Sequence, residues 1–156
     1  MTYRLAHANR NRGRGRRGRA HRRPSGSAGH EVAIVTRGTA LGAIRERGLR
    51  IDSPLGVFSV PVEAAEAPHD FAPVEALLVA VKTWQVPAVA ATLAPMLGRE
   101  GIVVPLQNGV DAPDQCADAL GNDRAFGGIC HVLSWITEPG AIKHVSAAPW
   151  VSRKAK

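Results

Sequence analysis

Hydrophobic and polar positions alternate in regular blocks from residue 30 onward. Short runs of Val, Ile and Leu are typical of strands, and the segments between them carry apolar residues at helical spacing. The runs that predict strands are "HEVAIVTR", "LRIDSPLGVFSVPV" (two strands around the turn "SPLG"), "PVEALLVAVK", "GIVVPLQNG", "RAFGGICHVLSWI" and "AIKHV". The segments that predict helices are "TALGAIRERG", "QVPAVAATLAPMLG" and "DAPDQCADALG". This alternation predicts an α/β domain with a mainly parallel sheet.

Glycine and proline indicate where the three helices begin and end. Gly48, Gly98 and Gly121 follow the helical segments, where glycine commonly ends a helix. Pro87 falls in the first turn of the second helix, where a missing N–H does no harm.

Polar side chains follow three of the predicted strands. Arg37 ends the first apolar run, Lys82 follows "LLVAV" and Asn108 follows "IVVPL". Singly, each is most often a solvated surface residue or a turn residue. Together they mark one sheet edge, because ligands of open α/β sheets bind beyond the carboxyl ends of the strands. An arginine at the end of the second strand of such a unit suits a 2′-phosphate, which favours NADP over NAD.

Charge is distributed unevenly along the 156 residues, whose net charge is +7. Residues 1–30 contain nine arginines and no acidic residue, whereas residues 31–156 contain eleven Lys and Arg against thirteen Asp and Glu. A basic leader therefore precedes a slightly acidic domain. No run reaches the length of a membrane span. Cys116 and Cys130 lack disulfide or zinc spacing, which favours reduced thiols in a cytoplasmic protein.

The leader contains the spacing G-x-G-x-x-G at Gly13, Gly15 and Gly18, a pattern of dinucleotide-binding loops. Its surroundings do not fit that interpretation. The preceding "HANRNR" is too polar for a buried strand, and the following "RAHRRPSGSA" contains a proline and a glycine that oppose a helix.

Five blocks of the sequence resemble the ketopantoate reductase (2-dehydropantoate 2-reductase) family over about residues 29 to 150. The blocks are "GHEVAIVTRG", "AIRERGLRI", "LLVAVKTWQ", "VVPLQNGV" and "GGICHVLSWITEPGAIKH". The resemblance implies a Rossmann-like fold and NADPH-dependent reduction of a 2-oxo acid on the way to pantothenate and coenzyme A. It also implies that Arg37 contacts the 2′-phosphate, that Lys82 and Gln85 lie along the cofactor, and that Asn108 binds near the nicotinamide and the substrate.

Under this resemblance the glycines at 13, 15 and 18 are in register, because sixteen positions separate Gly13 from Gly29 as in the family. We expect a disordered basic leader in place of the first strand and helix around them. We therefore divide the chain into a leader (1–28), a partial NADP-binding domain (29–150) and a tail (151–156). One hypothesis is that residues 1 to about 27 are a misread segment, which sequencing of the surrounding DNA would test.

Family members continue with a helical second domain that supplies the catalytic lysine, so no catalytic residue is assigned among residues 1–156. The resemblance predicts a fragment that is inactive alone. Two alternatives are a nucleic-acid-binding protein that uses the Arg/Gly-rich leader weakly and non-specifically, and a non-catalytic nucleotide-binding remnant. No metal site is predicted, because His30, His69, His131 and His144 lack metal spacing, and Trp84 and Trp135 are interpreted as packing residues.

Overall fold

The computed structural model describes residues 4–8, 30–71, 73–121, 123–130, 132–145 and 151–154. The strands in these ranges are β1 (Arg4–Ala8), β2 (Glu31–Val35), β3 (Leu49–Ser53), β4 (Gly56–Val60), β5 (Glu63–Ala65), β6 (Val74–Val79), β7 (Leu97–Pro105), β8 (Phe126–Ile129), β9 (Ser134–Glu138), β10 (Ala141–His144) and β11 (Val151–Lys154). The α-helices are α1 (Thr39–Arg47), α2 (Val86–Leu93) and α3 (Ala112–Leu120). Single turns of 3₁₀ helix lie at Pro68–Asp70, Thr83–Gln85 and Ala94–Met96.

The large sheet has the strand order β5-β2-β1-β6-β7. β2 is parallel to β5, and β6 is parallel to β7. β1 is antiparallel to both of its neighbours, so the other four strands all point in one direction. A parallel bridge between Val103 and Ala125 extends the sheet beyond β7. This is the spatial order of a Rossmann-type sheet, and it confirms the predicted α/β class.

We expected the basic leader to contribute no strand to the centre of this sheet, and the structure differs from that expectation. Arg4–Ala8 forms a strand there, in register with Glu31–Val35 on one side and with part of β6 on the other. The physical reason is that β2 and β6 would otherwise both carry unpaired N–H and C=O groups inside the domain. The strand lies upstream of most of "HANRNR", and it runs opposite to the direction that a Rossmann-type first strand takes.

Apolar residues cover both faces of the large sheet. Ile34 belongs to one buried cluster, together with Ile44 of α1 and Leu49 of β3. Its neighbour Val35 belongs to a second cluster. Consecutive strand residues point to opposite faces, so α1 and the hairpin of β3 and β4 cover one face. The second cluster also contains buried side chains of α2 and α3, namely Val86, Val89, Leu93, Ala112 and Cys116.

A second sheet has the order β4-β3-β10-β9. β3 and β4 form the predicted hairpin around "SPLG", while β10 pairs in parallel with β3 and antiparallel with β9. Lys143 of β10 donates to Asp52 of β3 over 2.7 Å. A small third sheet pairs β11 with β8, so part of the segment predicted as a tail is a strand.

Two of the three predicted helix ends are confirmed. Gly48 and Gly121 follow α1 and α3 with φ angles of 77° and 106°, which favour glycine. The predicted end at Gly98 is wrong, because Gly98 lies inside β7. α2 ends at Leu93, and Pro95 falls in the 3₁₀ turn that follows. The carbonyl of Gly98 instead accepts a hydrogen bond from the guanidinium of Arg124.

Candidate functional site

The carboxyl ends of β2, β6 and β7 lie at one edge of the large sheet, which we call the carboxyl edge. Ile34 of β2 and Leu78 of β6 both pair with Leu5 of β1, so these two strands end at the same level. Val79 of β6 pairs with Pro105 of β7. Strand spacing places the ends of β2 and β6 about 10 Å apart, and those of β6 and β7 about 5 Å apart.

The side chains predicted from the strand ends follow this edge. Arg37 lies two residues after β2, Lys82 three residues after β6, and Asn108 three residues after β7. All three are exposed to solvent. The structure thus brings these three predicted positions to a single edge of the sheet, with cationic side chains after β2 and β6 and an amide after β7.

Arg37 lies beside the N-terminus of α1. Thr36 is buried, and its N–H donates to the carbonyl of Ala65 over 2.9 Å, which fixes the end of β2. Gly38 has a φ of 65° and precedes the helix without a side-chain cap. The first turn of α1 contains no acidic residue. The lack of a side-chain cap and the helix dipole therefore favour an anion beside the guanidinium.

Lys82 and Gln85 are joined in a 3₁₀ turn after β6. The Gln85 N–H donates to the Lys82 carbonyl over 2.8 Å, and the Lys82 N–H donates to Oε1 of Gln85 over 3.1 Å. Oε1 of Gln85 therefore accepts a hydrogen bond within the turn and stabilises it. Its Nε2 remains as the group that can donate to a ligand.

Asn108 is followed by a sharp change of chain direction. Gly109 has a φ of 103°, a conformation that residues with a Cβ adopt rarely. The turn leads to α3, whose first helical residue is Ala112. The "NG" pair is thus a turn, and it also holds the Asn108 amide at the carboxyl edge.

Gln107 is a residue of this edge that the sequence interpretation missed. Its Nε2 donates to the carbonyls of Val79, over 2.9 Å, and Val81, over 2.8 Å. Its Oε1 is buried and has no hydrogen-bond partner within the part of the chain that the structure describes. The one signal in the sequence was its place in the block "LQNGV", directly before Asn108.

The exposure of Trp84 corrects the interpretation of this tryptophan as a packing residue. It lies between Lys82 and Gln85 and is 78% exposed, because the 3₁₀ turn directs it away from the core. Trp135 of β9 is half exposed. The indole of Trp84 is therefore an accessible aromatic surface next to two predicted ligand-binding residues.

The glycine spacing at Gly13, Gly15 and Gly18 lies outside the described residues. Nevertheless, the direction of β1 bears on it. Ala8, the last residue of β1, pairs with Glu31 at the amino end of β2. The carboxyl end of β1 therefore lies at the edge opposite to Arg37, whereas the first strand of a Rossmann-type sheet ends at the carboxyl edge.

The two cysteines are unpaired and differ in exposure. Cys116 is buried in the core, and this burial raises its pKa to about 11, whereas Cys130 is exposed. Within the described ranges, no cluster of three or more His, Cys, Asp or Glu could hold a metal ion. No helix in these ranges has the length and apolarity that crossing a membrane requires.

A surface pocket of about 230 Å³ lies between α1 and the second sheet, remote from this site. Arg47, Arg50 and Ser59 are among its lining residues. Arg47 ends α1 and Arg37 precedes its start, so the helix, about 13 Å long, separates the pocket from the carboxyl edge.

Residues 26–152 match the sequence model of a family described as ketopantoate reductase PanE/ApbA. The 2-dehydropantoate 2-reductase of Nostoc sp. is 30% identical over 103 residues, which cover 65% of this chain and 32% of that protein. The chain therefore spans about a third of that relative's length.

Solved structures show the same relationship. A PanE/ApbA family ketopantoate reductase from Ralstonia eutropha superimposes with a TM-score of 0.75 at 27% identity, covering 80% of this chain and 42% of that one. The 2-dehydropantoate 2-reductase from Geobacter metallireducens gives a TM-score of 0.72 at 27% identity, with coverages of 78% and 40%. Proteins of this family are pyridine-nucleotide-dependent oxidoreductases that act on a small molecule. The order of the strands, the blocks at the carboxyl edge and the match over residues 26–152 agree, and the chain belongs to the ketopantoate reductase PanE/ApbA family.

Proposed function

We propose that residues 29–150 are the NADP-binding part of a 2-dehydropantoate 2-reductase. The reaction is reduction of the ketone of a 2-oxo acid to a hydroxyl group by NADPH, in the biosynthesis of pantothenate and coenzyme A. The observation that carries the proposal is the alignment of Arg37, Lys82 and Asn108 beyond three strands that point in one direction. Ligands of open α/β sheets bind at this edge.

The Arg37 end of the site fits the 2′-phosphate of NADP. A guanidinium forms charge-assisted hydrogen bonds with phosphate oxygens, and the uncapped N-terminus of α1 adds N–H donors and a positive dipole end. A carbon added at Gly38 would meet no atom of the described residues within 4 Å, so these residues leave space beside the chain at this point. An acidic residue in the first turn of α1 would oppose this ligand, and the turn has none.

The Lys82 and Asn108 end of the site fits the rest of the cofactor. Lys82 brings an exposed ammonium group and Gln85 an Nε2 donor along the cofactor, between Arg37 and β7. Asn108 follows β7, which lies three strand spacings from the β2 strand that precedes Arg37, and in this proposal the nicotinamide and the ketone of the substrate meet at its amide. When bound, NADPH supplies the hydride, and the residues of this chain bind and orient it.

Binding can be measured with the chain of residues 1–156. Tryptophan emission overlaps NADPH absorption, so excitation of the protein in the presence of NADPH should give energy transfer to the bound cofactor. Trp84 is exposed beside Lys82 and should be the main donor. Trp84→Phe should reduce the transfer, whereas Trp135→Phe should retain most of it. Absence of any saturable NADPH binding, by fluorescence and by calorimetry, would overturn the proposal.

We further propose that residues 1–156 alone do not reduce 2-dehydropantoate, although they bind the cofactor. Two features support this. The chain spans about two fifths of the solved relatives, and Lys82, the lysine of the carboxyl edge, serves binding in this proposal. NADPH oxidation should be followed with 2-dehydropantoate, with the Geobacter metallireducens enzyme as positive control. Turnover near that of the control would contradict this second proposal and leave the first one standing.

Both cysteines are free thiols, and we place the protein in the cytoplasm on that ground.

A further inference from the structure

The carboxamide of Gln107 bridges two segments that are distant in sequence. Its Nε2 donates to the carbonyl of Val79 over 2.9 Å and to that of Val81 over 2.8 Å. The Val79 carbonyl also accepts the N–H of Leu106, the residue after β7, at 2.9 Å. Both partners of the amide group are carbonyls, which only accept, so the nitrogen must face them and the orientation is unambiguous.

The oxygen of the same carboxamide differs from the nitrogen. Oε1 of Gln107 is buried, and none of the described residues is a hydrogen-bond partner for it. A buried acceptor without a partner costs free energy, whereas an apolar side chain of similar shape would avoid that cost. The hydrogen bonds that the described residues make with this side chain are therefore those of its two N–H donors.

The two donors act next to the residues that we assign to the cofactor. Val81, whose carbonyl is held, directly precedes Lys82, and Gln107 itself directly precedes Asn108. Val81 is buried while Lys82 and Asn108 are exposed, so the bridge lies just beneath the surface that the two side chains share. Beyond the last pair of the ladder, Val79 with Pro105, the strands themselves no longer fix the distance between these segments.

We propose that Gln107 is a positioning residue, which ties the segment after β6 to the segment after β7 and so fixes the separation of Lys82 and Asn108. The inference rests on the proposed function of these two side chains in NADPH binding. Gln107 does not touch the cofactor in this proposal. It acts through the backbone of its two neighbours.

The bridge itself can be tested without any cofactor, by amide hydrogen exchange in the chain of residues 1–156. Gln107→Met removes both donors with little change in length. Exchange of the Lys82 and Leu106 N–H groups should accelerate about tenfold, while the N–H of Gly48, bonded to Ile44 at the far end of α1, should keep its rate. Gln115→Met is the matched control, because Gln115 of α3 also buries an Oε1 without a partner.

Equal acceleration of all three amides would mean that Gln107 only contributes to global stability, and unchanged exchange at Lys82 would mean that there is no bridge. Either result overturns the proposal.

The positioning role is tested by titration with NADPH and NADH. Gln107→Met should weaken both about five- to tenfold, because Lys82 and Asn108 contact parts that the two cofactors share. Gln115→Met should leave both affinities unchanged. If Gln107→Met accelerates the Lys82 amide without weakening either cofactor, the bridge exists and the positioning role is wrong. If the unchanged chain binds neither cofactor, the proposed function fails, and the exchange data still decide whether the bridge exists.

Discussion

Lys82 and Asn108 occupy equivalent positions on two neighbouring parallel strands. Val79 and Pro105 are paired in the sheet, and each of the two polar residues lies three positions after its own member of that pair. Parallel strands about 5 Å apart therefore bring the two segments that carry these side chains to the same level of the carboxyl edge. Two side chains delivered in this way can act on one ligand without any contact between them.

Arg37→Ala should lower the affinity for NADPH much more than that for NADH, because only NADPH carries the phosphate that the guanidinium pairs with. The loss for NADPH should be about tenfold or more. Calorimetric titration with each cofactor measures it, and Arg47→Ala, at the opposite end of α1, is the control. Equal losses for the two cofactors would remove the argument for NADP.

The leader should bind polyanions weakly and without sequence preference. Replacing the eight arginines between residues 10 and 23 by serine should abolish binding to single-stranded RNA, while β1 remains in place. Binding by the unchanged chain should fall steeply with salt, since it rests on phosphate neutralisation. RNA affinity that survives both the replacement and ~0.5 M salt, well beyond effective screening range, would assign nucleic-acid binding to the folded domain instead.

Ala6→Pro should destabilise the domain, because Ala6 lies in β1 between Ala33 and Leu77 and a proline there cannot donate to the sheet. A central acceptor left without a partner costs about 1–3 kcal/mol. Ala6→Gly keeps the N–H and should cost at most about 1 kcal/mol. Urea unfolding of both variants measures the difference, and equal stabilities would show that β1 does not pair in solution.

Cys130 should react readily with a thiol reagent at pH 8, and Cys116 should not, because burial raises the pKa of Cys116 to about 11 and keeps it neutral. The unfolded thiol ionises near its ordinary pKa of 9.0, so the unfolded state loses its proton first. The free energy of unfolding should thus fall as the pH rises from 9 towards 11, and this part of the slope should be absent in Cys116→Ala. Equal labelling rates for the two thiols would contradict the prediction.

The apolar pattern of the sequence was sufficient to predict most of the architecture. β2, β6 and β7 each contain a short run of Val, Ile, Leu or Ala (32–35, 76–79 and 102–104) that is buried or partly buried, and these runs are visible in the sequence alone. The positions of Arg37, Lys82 and Asn108 followed from it, since the ends of such runs share one edge. The helix end predicted at Gly98 was wrong, because a glycine after an apolar segment equally fits the start of the next strand, as in β7.

The direction of β1 could not be predicted, because alternating residues in a five-residue strand fit both directions equally well. β1 pairs with β2 and β6 because these two strands leave room for one strand between them, and that room exists only once the sheet has assembled. The bridge from Gln107 to Val79 and Val81 spans 28 and 26 positions and leaves no local pattern. The exposure of Trp84 depends on the 3₁₀ turn, whose geometry the surrounding sequence did not indicate.

The ion pair of Asp52 and Lys143 joins residues that are 91 positions apart, and it belongs to the pairing of β3 with β10. A ribosome adds about 5–20 residues per second, so about 5–18 s pass between synthesis of the two partners. During that interval β3 has β4 on one side and an open edge on the other. Open edges recruit strands from other molecules. A chain released before residue 141 would therefore be exposed to aggregation through β3, and the speed of translation across this interval should influence the yield of native protein.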